Sequence, residues 1–148
     1  MGIIVQYAIQ RKNAMEFIVK TRSKKTAHFI NSIMPSLIKQ LGLTNSRKFL
    51  LIEICKLKHD KGLTTPLPGL DTYVIALSPA KWQDLGVTLA HEMVHVRQLA
   101  KGLLRAEGGN KWWMGKKYSK RTKYLDMPWE LDAFARQEIL FRRALEKC

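Results

Sequence analysis

The chain has 148 residues, 46% hydrophobic and 26% charged, which is enough for one self-supporting core and far from the low hydrophobicity of disordered segments. Its charge is lopsided: 26 Lys and Arg face 12 Asp and Glu, a formal net charge of +14. Such a surface attracts polyanions, nucleic acid most commonly, with anionic lipid heads and acidic proteins as the other classes. Only two cysteines occur, Cys55 and Cys148, and neither belongs to a Cys-x-x-Cys pair, which argues against a disulfide framework and a thiolate zinc site.

At the N-terminus the apolar patch Ile3-Ile4-Val5 is too short for a signal-peptide core, and Gln6 stands where a myristoylation motif needs Ser or Thr. No stretch approaches a membrane span, so the expectation is a cytoplasmic protein with no membrane partner. Val5–Ile9 and Phe17–Lys20, separated by the polar Arg11-Lys12-Asn13, read as an opening hairpin. From Thr26 to Leu41 apolar residues recur at helical spacing, with Gly42 as terminator and Pro35 as a point for a kink. Phe49–Leu57 and Tyr73–Leu77 read as adjacent strands joined by a turn-rich segment carrying Gly62, Pro66, Pro68 and Gly69. Ser78-Pro79 has the form of an N-cap followed by proline at the first helical position, opening a helix that runs to Lys101 and stops at Gly102, with Gly86 as a candidate break. Leu103–Tyr124 reads as a long ordered loop, basic and holding Trp112, Trp113 and Tyr118. Met127-Pro128 then restarts a helix to the C-terminus. These elements predict a single α+β domain, with a small antiparallel or mixed sheet packed against an N-terminal, a central and a C-terminal helix.

The chemistry concentrates in His91-Glu92-Met93-Val94-His95. Four residues apart on a helix, the two histidines lie about 40° from eclipsed and can grip one ion, while Glu92 lies about 100° round from His91. Two neutral ring nitrogens for a metal, beside a carboxylate that takes the proton of a water acidified by it, is what a hydrolytic zinc site requires. The competing explanation is a chance string on a solvated helix. Leu89, Ala90, Met93, Val94 and Val96 make the helix apolar on more than one side, so its polar residues need partners, which a metal supplies.

Such a site needs a third protein ligand and an open position. Gln98 and Lys101 stand where a metzincin needs Gly and His, which excludes that class, and His28 and His59 lie upstream on elements that need not face the site. Glu130, in the first turn of the last helix, is the leading candidate, with Ala133 small enough for close packing; Asp126, Asp132 and Glu138 are the alternatives. Asp132 also suits an acceptor for a ligand histidine. Tyr118, Tyr124 and Lys116, in the segment between ligands, are candidates to stabilise an oxyanion, with aromatic packing as the plainer role for the tyrosines.

The segments Thr88–Gln98, Trp113–Tyr118 and Tyr124–Glu130 resemble small zincin peptidases of the SprT-like and minimal gluzincin type, encoded by tailed bacteriophages and bacteria. The resemblance spans roughly residues 70–140. It implies a zincin-like domain, a zinc ion on His91, His95 and Glu130, Glu92 as general base, a protein or peptide substrate lying along an edge strand near Thr72–Leu77, and action on DNA-associated proteins; the apolar run of Tyr73–Leu77 equally suits a central strand. SprT proteins supply a third histidine downstream; this chain has none, so the version with a glutamate ligand fits better. A phage origin would make the compartment the host cytoplasm, with virion association as a further option. The rival reading is a basic nucleic-acid-binding protein whose metal site is vestigial or structural, drawn from Arg22–Lys25, Lys56–Lys61 and Lys116–Lys123.

Overall fold

The computed structural model describes residues 4–7, as backbone, and 15–147. The expected hairpin is present in its strands, β1 (Ile4–Tyr7) and β2 (Glu16–Thr21), paired antiparallel. Its polar turn at Arg11-Lys12-Asn13, like Met1-Gly2 and Cys148, lies outside the described residues.

Along β2, Phe17, Val19 and Thr21 are buried while their neighbours are not, the period-two pattern of a half-covered strand. Helix α1 (Lys24–Gln40) follows, its first turn capped by Ser23 Oγ, which accepts from the Thr26 backbone N–H. Pro35 lies inside α1, which continues past it. The helix carries the chain across to β3 (Phe49–Ile54), parallel to β2 with Phe17 opposite Leu50 and Val19 opposite Ile52. β5 (Thr72–Leu77) is in turn parallel to β3, and β4 (Gly62–Leu67) closes the sheet antiparallel to β5, giving the order β1-β2-β3-β5-β4. The turn-rich segment therefore contains a strand, and β5 is an internal strand, not an edge. Pro66 is accommodated because β4 is the edge, where a missing N–H breaks no ladder.

The inner face of this sheet presents Phe17, Val19, Leu50, Ile52 and Ile75 to α1 and to α2 (Trp82–Ala100), all at 3% exposure or less. Each such side chain contributes about 1.5–3 kcal/mol on burial. Helix α2 begins at Trp82, with Lys81 in the cap position. Ser78 is not its cap: the Ser78 hydroxyl donates to Asp60 O and accepts from the Leu57 N–H, a tertiary use that ties β5 to the β3–β4 connection. Nor does α2 break at Gly86. A Cβ there would lie 2.0 Å from Phe141 Cε1, so the missing side chain leaves room for the Phe141 ring of α3 (Pro128–Glu146) against α2.

Between α2 and α3 the expected loop is a three-stranded antiparallel sheet, β6 (Leu104–Glu107), β7 (Asn110–Trp113) and β8 (Lys116–Tyr118), followed by a short 3-10 turn at Tyr124–Asp126. The architecture is α+β, with three α-helices, a mixed sheet and an antiparallel one among the described residues. Among the described residues no helix is long and apolar enough to cross a membrane.

Candidate metal centre

Helix α2 is buried on nearly all sides through its middle, so His91, Glu92, His95 and Gln98 are four polar residues at 8% exposure or less. Each needs a partner, since an unpaired buried polar group costs on the order of 1–3 kcal/mol. The partner element is α3. Its proline at the first position sets the N-terminal turn, which places Glu130 over the histidine face of α2. Glu130 Oε1 lies 2.9 Å from His91 Nε2 and 3.1 Å from His95 Nε2.

The other ring nitrogens are also engaged. Gln137 Oε1 is 2.8 Å from His91 Nδ1, and Gln98 Oε1 is 2.8 Å from His95 Nδ1. For Gln98 the amide orientation is determined by chemistry. Its Nε2 sits 2.9 Å from both the Trp129 carbonyl and Asp132 Oδ2, and those groups only accept, so the NH₂ must face them and the oxygen must face His95. His95 Nδ1 therefore carries a proton. In a neutral ring that leaves the Nε2 lone pair aimed at Glu130.

His91 Nε2, His95 Nε2 and Glu130 Oε1 thus converge, and between His95 and Glu130 lone pair faces lone pair unless that ring is protonated or a cation binds. The charges of the group answer accordingly. Burial alone would lower the pKa of His95, but the Glu130 and Gln98 hydrogen bonds and the Glu92 charge outweigh it and raise it. Burial would raise the pKa of Glu130, but hydrogen bonds from His91, His95 and Tyr124 hold its carboxyl well below the usual range. Two nitrogens and one oxygen are a fitting donor set for a four-coordinate ion with one open position. Ligand atoms about 2.0–2.1 Å from a tetrahedral ion lie roughly 3.3 Å apart, so the two nitrogen–oxygen spacings need to open by only a few tenths of an ångström.

Glu92 sits on the other flank. His91, Glu92 and His95 each offer an atom within 4.8 Å of the others', a buried group able to hold a metal ion. Its carboxylate is bonded elsewhere, however: Thr64 Oγ1, on β4, donates to Glu92 Oε1 at 2.7 Å. Gly62 makes room for it, since a Cβ there would lie 3.0 Å from Glu92 Cγ. Burial raises the pKa of Glu92, against the Thr64 hydrogen bond and the nearby imidazoles. Comparison of the chain with protein-family models, curated proteins and solved structures found no match.

The remaining candidates separate clearly. Tyr124 reaches the centre: its hydroxyl donates to Glu130 Oε1 at 2.9 Å, and burial together with the Glu130 charge raises its pKa. Tyr118 does not; it packs edge-on against Trp129, with Lys116 Nζ over its own ring. Asp132 accepts from Gln98 Nε2 and from Arg136 Nε, so it acts on His95 at one remove and is not the histidine's own acceptor. Of the alternative third ligands, Asp126, Asp132 and Glu138, none makes a hydrogen bond to either ring among the described residues. Three contributors were missed from sequence. Gln98 (His95 plus three) and Gln137 (Glu130 plus seven) lie at helical spacing from their sites, a usable signal; Thr64 has no local one.

A cavity of about 630 Å³ opens at the N-terminal end of α2, lined by Lys20, Ser23, Glu53, Lys56 and Leu85 among others. None of the histidines or glutamates of the centre lines it.

Proposed function

We propose that the chain is a zinc-dependent peptidase of the zincin type, with His91, His95 and Glu130 as the residues that hold the ion. The observation that carries this reading is that both Nε2 atoms lie within 3.1 Å of one Glu130 oxygen while both Nδ1 atoms are engaged by glutamine oxygens. Zinc bound there supplies Lewis acidity, bringing the pKa of a water to about 7 and polarising a scissile carbonyl.

The remaining work falls to the protein's own groups. Glu92, bonded to neither imidazole and raised in pKa by burial, takes the proton from the attacking water and passes it to the departing amine. Thr64 fixes the carboxylate's orientation through its 2.7 Å hydrogen bond. Tyr124, half exposed beside Glu130, turns its hydroxyl from that carboxylate to the oxyanion formed at the substrate carbonyl. β4 is the free edge of the sheet nearest Glu92, and an extended peptide laid against it completes the ladder with its backbone.

The test is metal analysis of protein purified without added zinc, alongside Glu92→Gln in casein-cleavage and self-cleavage assays. The expected result is one zinc per chain in both proteins and cleavage by the wild type alone. Protein without zinc overturns the reading. Equal cleavage by Glu92→Gln removes the general base, and full zinc occupancy with no cleavage by either protein leaves a structural metal site.

A further inference from the structure

Half of the chain's net charge is concentrated in one place. Between Lys101 and Tyr124 eight basic residues stand against a single acid, Glu107, a net of +7 out of +14. The β6–β8 sheet forms the middle of this segment and carries Arg105, Lys111, Lys116 and Lys117 of the eight, and its two faces differ. One is turned inward: Leu104 is buried, Tyr118 packs on Trp129 and Lys111 Nζ lies 5.4 Å from the Trp129 ring. On the other face the register places Arg105, Trp112 and Lys117 in one row across the three strands. Arg105 lies 5.2 Å and Lys117 5.9 Å from the Trp112 ring. Glu107 is at the far end of that face, opposite Asn110, and Lys120 folds back over the adjoining turn, its Nζ about 2.9 Å from where a Gly109 Cβ would be.

We propose that this outward face binds single-stranded nucleic acid. A basic face that served only solubility would have no use for an indole at its centre. An aromatic ring flanked by cations offers a base a stacking surface and its phosphates two counter-charges, a combination that tracks unpaired strands and tolerates any sequence. Duplex DNA keeps its bases stacked and gains only from the cations. The proposal is independent of the metal centre, since neither Trp112 nor its two cations touch His91, His95 or Glu130.

The test is fluorescence anisotropy of a labelled oligothymidylate at several salt concentrations, with Trp112→Ala, the double variant Arg105→Ala/Lys117→Ala, and a control Arg22→Ala/Lys24→Ala/Lys25→Ala that removes more charge elsewhere. Trp112→Ala is expected to weaken binding roughly tenfold. The double variant is expected to flatten the logarithmic salt slope by about 1.4, or about 0.7 per lost phosphate contact, and the control to bind within twofold of wild type. Wild-type affinity in both face variants overturns the proposal, as does a control as weak as the double variant. Capture by phosphatidylserine vesicles that depends on Trp112, without oligothymidylate binding, also overturns it and makes the face a lipid surface. Zinc content and casein cleavage measured on the same samples report the metal centre separately, so each reading fails or stands by itself.

Discussion

Gln98 and His95 lie one turn apart on α2, with the imidazole Nδ1–H donating to Gln98 Oε1 at 2.8 Å while the amide NH₂ is spent on the Trp129 carbonyl and on Asp132. Arg136 completes the series from the far side of Asp132. His95 is thereby locked in the tautomer that leaves Nε2 free for a metal. Replacing Gln98 by Leu is expected to lower zinc affinity by about 10–100-fold and, by leaving buried acceptors unpaired, to cost roughly 1–3 kcal/mol in stability. Gln98→Glu keeps the acceptor for Nδ1 but sets a carboxylate against Asp132, so it should cost more in stability than in affinity. Zinc competition against a chromophoric chelator, with thermal unfolding, separates the two; wild-type affinity in the Leu variant would remove Gln98 from the centre.

How far the site was legible follows from which contacts are local. His91, Glu92 and His95 show in the sequence because their geometry is set within one helix, and Glu130 because Pro128 announces a helix whose first turn favours an acid. Thr64 is invisible because β4 is. Its run Leu63-Thr64-Thr65-Pro66 looks like a turn, and only pairing with β5 makes it a strand. The same non-local fact hides the edge: the apolar run Thr72–Leu77 suits an edge or a central strand, and it is internal because β4 lies outside it. β6–β8 are missed since strands of three or four residues rich in lysine carry almost no alternation to read. Ser78-Pro79 is a sound local capping signal overridden by tertiary hydrogen bonds.

Tyr124→Phe tests the hydroxyl that now rests on Glu130. If it stabilises the oxyanion, the substitution is expected to reduce kcat by about 10²–10³ with little change in KM and no loss of zinc. A purely structural hydroxyl would show itself instead as lower zinc occupancy with kcat per bound zinc unchanged.

The metal-free protein is expected to be most stable in mildly acid solution. Glu130 has a folded-state pKa below its ordinary 4.5, so its contribution is present above that value and lost as pH falls toward the folded one. Glu92 is raised above 4.5 and His95 above 6.5; the stability each gives is complete below those values and lost as pH rises through the folded pKa. If zinc is held by His91, His95 and Glu130 as proposed, adding it should abolish the loss on the alkaline side. Tm measured from about pH 4 to pH 8 with chelator and with zinc checks this; a chelated protein whose Tm climbs between pH 6 and 8 would contradict it.

Gly86 ties the packing of the helices to the candidate metal centre. A methyl group there would lie 2.0 Å from Phe141 Cε1 and 2.6 Å from Cδ1 and Cζ, and the ring cannot easily retreat because Phe29 and Trp82 flank it with centroids 6.3 Å away. Gly86→Ala gains about 1 kcal/mol in helix propensity. Overpacking at a ring costs about 1–3 kcal/mol or more, and with contacts this short the upper end governs. The expected net destabilisation is about 1–2 kcal/mol, a fall in Tm of very roughly 2–8 °C. Because α3 must move away from α2 to admit the methyl, Glu130 moves with it, and zinc affinity should fall together with stability. Adding Phe141→Leu to Gly86→Ala should recover part of both losses although Phe141→Leu alone is destabilising, a coupling that a double-mutant cycle measures directly. Additive losses in that cycle would mean that the two helices do not meet at this pair.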